Sequence, residues 1–320
     1  MAVELASKHI QPKPWGVADL GPWSKSTNAG SPIGEIWFDR PPGAALPSLL
    51  LKLLFTAQPL SIQVHPDDAY ARSKGQPNGK TEAWYVLSAG AGAKVALGLH
   101  ETMSPQQLRQ AVDDGSISEQ VVWHPVTAGD TILVPAGTIH AIGAGVVIAE
   151  IQQKSDATFR LFDHGRQREL HVDDGVAVAK AGPAKLQVHP KKLTDERTLL
   201  TSCPHFVFER IMLEPDAKWR LQAERETWLL PTGGGALAAS LVIRPGDAIF
   251  AEADQLEIHT GEIGMVALVA YAGPNLIPNL LRQSIAPAKA GGARRSDQQP
   301  AAAFSGSSGT SANNHIGTTR

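Results

Sequence analysis

Three short runs carry residues that could hold and use a metal ion. In Ser61-Ile62-Gln63-Val64-His65 polar and apolar residues alternate. Side chains two apart on a strand share a face, so Ser61, Gln63 and His65 project together. The same parity puts Lys80, Glu82 and Trp84 on one face of the next run. The third run, Gly129-Asp130-Thr131-Ile132-Leu133-Val134-Pro135-Ala136-Gly137-Thr138-Ile139-His140, leads from a β-rich stretch through a Pro-x-Gly turn to a histidine. Gln63, His65, Glu82 and His140 would together offer two imidazoles, a carboxylate and an amide oxygen. Such a set suits a divalent transition metal, zinc first, and leaves positions for water or substrate oxygens. A lone histidine in a β protein is usually a packed side chain. The order of the three runs along the chain is what points to a metal.

Short β-rich stretches separated by Gly and Pro must position these residues. They include Gly34-Glu35-Ile36-Trp37-Phe38, Leu60-Ser61-Ile62-Gln63-Val64-His65, Ala83-Trp84-Tyr85-Val86-Leu87, Thr131-Ile132-Leu133-Val134 and Val146-Val147-Ile148-Ala149-Glu150-Ile151. Frequent turn signals between short strands predict a jelly roll or sandwich rather than βαβ units. Helix is sparse. Ser104 at an N-cap and Pro105 at the first helical position predict one helix, and Asp67 and Asp68 after Pro66 predict a second, short one. After Pro183 the strand pattern restarts with Phe206-Val207-Phe208-Glu209-Arg210-Ile211, Thr227-Trp228-Leu229-Leu230 and Ala248-Ile249-Phe250. From Pro287 the composition falls to Ala, Gly, Ser, Gln and Asn, too little apolar surface to offset ordering entropy. The expectation is therefore an all-β chain in three parts. Residues 1–185 form the metal-binding unit, residues 186–283 a second β unit, and residues 284–320 a disordered tail.

At 320 residues, two domains are expected. With 29 Lys+Arg against 31 Asp+Glu there is no basic surplus for a nucleic-acid backbone. No apolar run approaches the roughly 18 residues of a membrane span; Leu49-Leu50-Leu51 is broken by Lys52. The first residues, with Glu4, Lys8, His9 and Lys13, lack the apolar core of a secretory signal. One cysteine, Cys203, cannot form an internal disulfide, which fits a reducing, cytoplasmic setting. A small-molecule ligand is expected, with no nucleic-acid or membrane partner, and a monomer or weak homodimer.

The Gly…Pro-x-Gly-x-x-His run has the spacing of the second cupin motif. Four runs together closely resemble the type I phosphomannose isomerases, zinc enzymes of the cupin superfamily: Gln63-Val64-His65-Pro66-Asp67-Asp68, Gly79-Lys80-Thr81-Glu82-Ala83-Trp84-Tyr85, Val134-Pro135-Ala136-Gly137-Thr138-Ile139-His140-Ala141, and Gln152-Gln153-Lys154-Ser155-Asp156-Ala157-Thr158-Phe159-Arg160. The resemblance is strong from about residue 15 to residue 172, weaker over the second β unit and absent in the tail. The helical domain inserted in longer members is missing, so the chain resembles the shorter bacterial type.

The resemblance implies two cupin-type jelly-roll barrels, one zinc per chain, and interconversion of mannose 6-phosphate and fructose 6-phosphate through a cis-enediol. Gln63, His65, Glu82 and His140 match the family's ligands. Lys80 and Glu150 are both candidates for the base that moves a proton between C2 and C1. Arg160 matches an active-site arginine that would stabilise developing negative charge. Asp156 resembles a residue assigned to ring opening, with a turn-forming role as its plain alternative. Lys52, Ser61 and Arg166 stand at the spacings of phosphate contacts. The runs Lys13-Pro14-Trp15-Gly16 and Gly34-Glu35-Ile36-Trp37 also match, and Trp15 could wall the sugar site or pack in the core. One departure is Gly79, where longer members often carry a histidine.

Other signals carry less. Gly90-Ala91-Gly92 follows no βαβ pattern, and Gly233-Gly234-Gly235 reads as a hairpin turn between apolar strands. Gly246-Asp247 echoes Gly129-Asp130, yet Glu252 stands where a proline would be and no Pro-x-Gly-x-x-His follows, so a second metal site is not expected. His259 reads as structural, and Cys203 has no activating pattern. Two alternatives stay open: another metal-dependent cupin enzyme, whether an isomerase, an epimerase or an oxygenase, and a non-catalytic sugar-phosphate-binding cupin.

Overall fold

A computed structural model describes residues 2–25, 30–186 and 189–284. In chain order the first part comprises β1 (Ala2–Leu5), β2 (Ser7–Val17), β3 (Ile33–Asp39), β4 (Leu49–Phe55), β5 (Ile62–Val64), α1 (Asp68–Ser73), β6 (Glu82–Ala89), β7 (Lys94–Leu99), α2 (Pro105–Asp113), α3 (Ile117–Gln120), β8 (Val121–Pro125), β9 (Thr131–Val134), β10 (His140–Ile142), β11 (Val146–Gln153), β12 (Phe159–Phe162) and α4 (Val172–Val178). Strands then follow without helix among the described residues: β13 (Lys191–Lys192), β14 (Arg197–Ser202), β15 (Phe206–Leu213), β16 (Lys218–Ala223), β17 (Thr227–Ala238), β18 (Leu241–Ile243), β19 (Ile249–Glu252), β20 (Asp254–Ala272) and β21 (Leu281–Gln283).

The strands pair as three antiparallel sheets. A six-stranded sheet runs β2-β3-β4-β11-β6-β9, and a five-stranded sheet runs β12-β5-β10-β7-β8. The third, ten-stranded sheet gathers the C-terminal strands and takes in β1, which pairs with β19. Most paired strands are not consecutive in sequence, as the crossovers of a jelly roll require.

The six-stranded sheet is the middle layer. One face packs Trp84, Val86 and Ile148 against Val95, Leu97 and Ile142 of the five-stranded sheet. Its other face packs Phe38, Leu51, Leu53 and Ile151 against Phe206, Phe208, Trp228 and Phe250 of the ten-stranded sheet. Burial on both faces explains why β4 reads Leu-Leu-Leu-Lys-Leu-Leu-Phe, every residue buried, instead of alternating. Leu53, fully buried, is a point where one change would tell: Leu53→Ala should cost about 2–5 kcal/mol. The far face of the five-stranded sheet is covered by α2, α3 and α4 through Leu108, Val112, Ile117 and Val176.

Both expected helices form. Ser104 caps α2 in a capping box with Gln107, and Asp67 accepts from the Tyr70 amide at the start of α1. The glycine run is a correction: residues 233–235 lie inside β17 rather than in a hairpin turn. The register of β17 on β20 shifts on either side of Gly234, whose φ is +68°. A Cβ at Gly234 would fall 2.0 Å from the Gly264 carbonyl oxygen, so only glycine permits this bulged close approach. The expected disordered tail, residues 284–320, lies outside the described residues except for Ser284, whose amide donates to the Lys218 carbonyl. Among the described residues no helix is long and apolar enough to cross a membrane.

Candidate active site

β5 and β10 lie side by side with His140 opposite Gln63, so strand pairing itself brings two of the three runs together. The turn before β10 forms as the Pro-x-Gly pattern predicts. The Thr138 amide donates to the Pro135 carbonyl, and Gly137 takes φ +87°, which glycine tolerates. The Gly137 amide donates to the His65 carbonyl, tying the turn to the first histidine. The carboxylate comes from the facing sheet, since Glu82 opens β6.

The result is a buried cluster of His65, Glu82 and His140, with one ligand atom from each within 4.8 Å of the others. His65 Nε2 lies 3.4 Å from Glu82 Oε2, and His140 Nε2 3.4 Å from Glu82 Oε1. The two Nδ1 atoms face backbone carbonyls, of Ala157 and Thr138, each at 2.9 Å. A carbonyl only accepts, so each Nδ1 carries the proton and each Nε2 lone pair turns toward the cluster. Burial, then the Lys80 charge, pushes the His65 pKa down to about 3; burial lowers His140 as well. Both rings are therefore neutral, as metal ligation demands. Burial opposes the Glu82 charge, but the Lys80 ammonium outweighs it and holds the carboxylate well below its usual range.

The donors fit a divalent cation. Glu82 Oε2 is buried without a hydrogen bond. Lys80 Nζ approaches it to 2.8 Å as an ion pair and stands 2.9 Å from His65 Nε2, so the cluster already draws positive charge. Gln63 sits at its edge. Its Nε2 is 3.3 Å from His140 Nε2, and its Oε1 accepts from Ser61 Oγ at 3.0 Å.

A row of paired residues extends the site across the middle sheet. Trp37, Lys52, Glu150 and Trp84 are register neighbours on β3, β4, β11 and β6. Lys52 Nζ lies 3.5 Å from Glu150 Oε1 and 4.5 Å from the centre of the Trp37 ring. Trp84 Nε1 donates to both Glu82 Oε1 and Glu150 Oε2, at 3.1 Å each, linking the cluster to the second carboxylate. Burial, then repulsion from Glu82, pushes the Glu150 pKa up to about 7 against the pull of Lys52 and Lys80. Burial works against the Lys80 ammonium, yet Glu82 and Glu150 hold its pKa above the ordinary value.

These groups open on one cavity of about 220 Å³, the size for one small molecule rather than a polymer. Lys52, Ser61, Gln63, Lys80, Glu82 and Glu150 line it, with Trp15, Asp156 and Arg160. Trp15 fills both expected roles: it is 3% exposed in the core between the sheets and also walls the cavity. Arg160 Nη1 donates to the Glu169 carbonyl, while its Nε is buried without a partner. Arg166 is the candidate not brought in. Its Nε donates to Asp163 and its Nη2 to the Pro59 carbonyl, outside the cavity lining.

Three charged lining residues had no assigned part: Lys13, Glu35 and Arg168. Lys13-Pro14-Trp15-Gly16 and Gly34-Glu35-Ile36-Trp37 were signals for the first two; nothing in the local pattern of Arg168 marks it. Gly79 also finds its reason. A Cβ there would lie 2.4 Å from the Asp67 carbonyl carbon, so the start of α1 leaves no room for a side chain.

Fold and cluster together define a cupin-fold protein with a candidate metal centre. No protein-family model matches the chain. Mannose-6-phosphate isomerase of Streptococcus mutans is 36% identical over 239 residues, 68% of this chain and 74% of that protein. ManA of Bacillus subtilis, also a mannose-6-phosphate isomerase, is 31% identical over 259 residues, 76% of this chain and 80% of that protein. The chain belongs to the type I mannose-6-phosphate isomerase family. The crystal structure of the Bacillus subtilis mannose 6-phosphate isomerase superposes with a TM-score of 0.75 at 21% identity, over 85% of this chain and 100% of that one. A phosphomannose isomerase from Salmonella typhimurium superposes at 0.67 and 16% identity, with the same fold.

Proposed function

We propose that the chain interconverts mannose 6-phosphate and fructose 6-phosphate, moving one proton between C2 and C1 through a cis-enediol. The observation that carries this reading is the cavity on which Glu82, the carboxylate of the His65–Glu82–His140 cluster, and Glu150, a second carboxylate whose pKa is about 7, both open. The names of the relatives support the substrate. One zinc per chain would be held by His65, Glu82 and His140, with Gln63 at the edge of the set. Bound there, it supplies Lewis-acid polarisation of the sugar's carbonyl and hydroxyl oxygens.

We assign the proton transfer to Glu150. A base needs a free lone pair at the working pH and a place beside the substrate, and Glu150 has both. Trp84 Nε1 and Lys52 Nζ hold its two oxygens in one orientation. Lys80, with its raised pKa, stays an ammonium and serves as a donor to the oxygen that gains charge. Arg160 adds a second cation for that oxygen or the phosphate. Asp156 lines the same cavity and is assigned to ring opening. Residues 1–185 then carry the chemistry, and residues 186–283 form a supporting β unit.

The test is conversion of mannose 6-phosphate by zinc-loaded protein in D2O. The reading expects fructose 6-phosphate and solvent deuterium at the carbon that receives the proton. Binding of the sugar phosphate without any exchange would contradict it.

A further inference from the structure

The charges that line the cavity do not pair off evenly. Lys13 Nζ lies 3.7 Å from Glu35, Lys52 Nζ 3.5 Å from Glu150 and Lys80 Nζ 2.8 Å from Glu82. Each lysine thus faces a carboxylate of the same cavity. Two arginines, Arg160 and Arg168, and one carboxylate, Asp156, remain. Arg160 has only the Glu169 carbonyl and a buried Nε without a partner. Arg168 is paired with Asp163, which lies outside the lining. Burial and then the Arg168 charge work against the Arg160 guanidinium, Asp163 offsets them in part, and an anion reaching both side chains would relieve the rest.

Asp163 is the hub of that wall. Its side chain is 2% exposed. Arg168 Nε donates to Oδ2 at 2.7 Å and Nη2 to Oδ1 at 2.5 Å, a paired contact that leaves the Nη1 edge of the guanidinium free. Arg166 shares Oδ1 and fastens to the Pro59 carbonyl, and His164 Nε2 donates to the Leu60 carbonyl at 2.8 Å. The loop from 163 to 168 is therefore clamped to residues 59–60, directly before Ser61.

We infer that Arg168, held by Asp163, grips the phosphate of the sugar substrate together with Arg160, and that Asp163 is its positioning residue. This rests on the sugar-phosphate reading above and moves the phosphate contact from Arg166 to Arg168. A dianion at this wall takes charge-assisted bonds from two forked donors, whereas the unphosphorylated sugar takes none.

The experiment is steady-state kinetics with mannose 6-phosphate plus calorimetric binding of inorganic phosphate, on zinc-loaded wild type and variants. Arg168→Gln should raise KM about tenfold to a hundredfold, weaken phosphate binding to match, and leave kcat within about threefold. Asp163→Asn should raise KM likewise, and the double variant should be no worse than Arg168→Gln alone, because Asp163 acts through the arginine. Should Asp163→Asn fail to fold, Arg168→Lys must show the same rise in KM, since a lysine cannot make the paired contact. Unchanged KM and phosphate affinity in Arg168→Gln, or a wild type that does not bind phosphate, would overturn the inference. A wild type that binds phosphate through Arg168 yet isomerises nothing would uphold the anion site and remove the isomerase reading.

Discussion

Each half of the molecule buries an ion-pair cluster, and the two clusters are completed to different degrees. In the C-terminal sheet Arg197 donates to both oxygens of Glu209 and to the carbonyls of Ile277 and Pro278, while Tyr271 gives its hydroxyl to Glu209. The Ile277 amide in turn donates to the Tyr271 oxygen. Every donor of that cluster has a partner, and it lies beside an apolar core of Val207, Leu229, Ile249 and Val269. Between the N-terminal sheets, Lys52, Lys80, Glu82 and Glu150 are equally buried, yet Glu82 Oε2 makes no hydrogen bond and Glu150 is destabilised as an anion. Buried charge locks the chain where its bonding is complete. Bonds left unmade on a cavity wall are available to a metal and a substrate.

The contrast can be broken from either side. The largest effect should come from His140→Ala, which removes an imidazole of the cluster. Metal content by atomic absorption and isomerase rate should fall together, the rate by more than about a hundredfold. Glu150→Gln should keep the metal and lower kcat by about 10²–10⁴. The wild-type rate should rise with pH through about 7 as Glu150 loses its proton, and the variant should lack that limb. The same substitution should act oppositely on stability in chelated protein. A folded pKa of about 7, above the ordinary carboxylate value, gives stability that is full in acid and is lost as pH rises through 7. Thermal melts of Glu150→Gln should therefore exceed wild type above pH 7.

Smaller effects belong to the C-terminal half. Arg197→Met strands the Glu209 charge and should cost about 3–5 kcal/mol in urea unfolding, with kcat per folded molecule unchanged. Arg220→Ala, in a half-exposed pair with Glu257, should shift stability by less than about 0.5 kcal/mol.

How much of this was legible depended on range. The cluster residues were readable because strand parity and the Pro-x-Gly turn are local, and His65, Glu82 and His140 do converge. Thr131–Val134 is the strand its residues predicted, and the Ser104 and Asp67 caps begin helices. What escaped depends on register. That Lys52, Glu150 and Trp84 stand abreast follows from pairing β11 with two strands far from it along the chain, with Glu150 and Trp84 66 residues apart. The unbroken Leu49-Leu50-Leu51 run fits a strand buried on both faces, but does not say which strands flank it. The glycines of β17 deceived for the same reason, since the approach of Gly264 to Gly234 joins positions far apart along the chain. Likewise, Arg166 and Arg168 are separated only by which of them the Pro59 carbonyl holds. α3 and α4 are short and lack a side-chain cap bond, so the Ser116-x-x-Glu119 pattern and the acidic pair Asp173-Asp174 at their starts were weak signals.

The central claim is that activity resides in the buried cluster between the N-terminal sheets. The most direct measurement is mannose 6-phosphate conversion by chelated protein, before and after stoichiometric zinc, for wild type and His140→Ala side by side. Wild type should lose its activity on chelation and regain it with about one zinc per chain, and the variant should regain none. Full activity in the metal-free wild type, or recovery of the variant to the wild-type rate, would contradict the account.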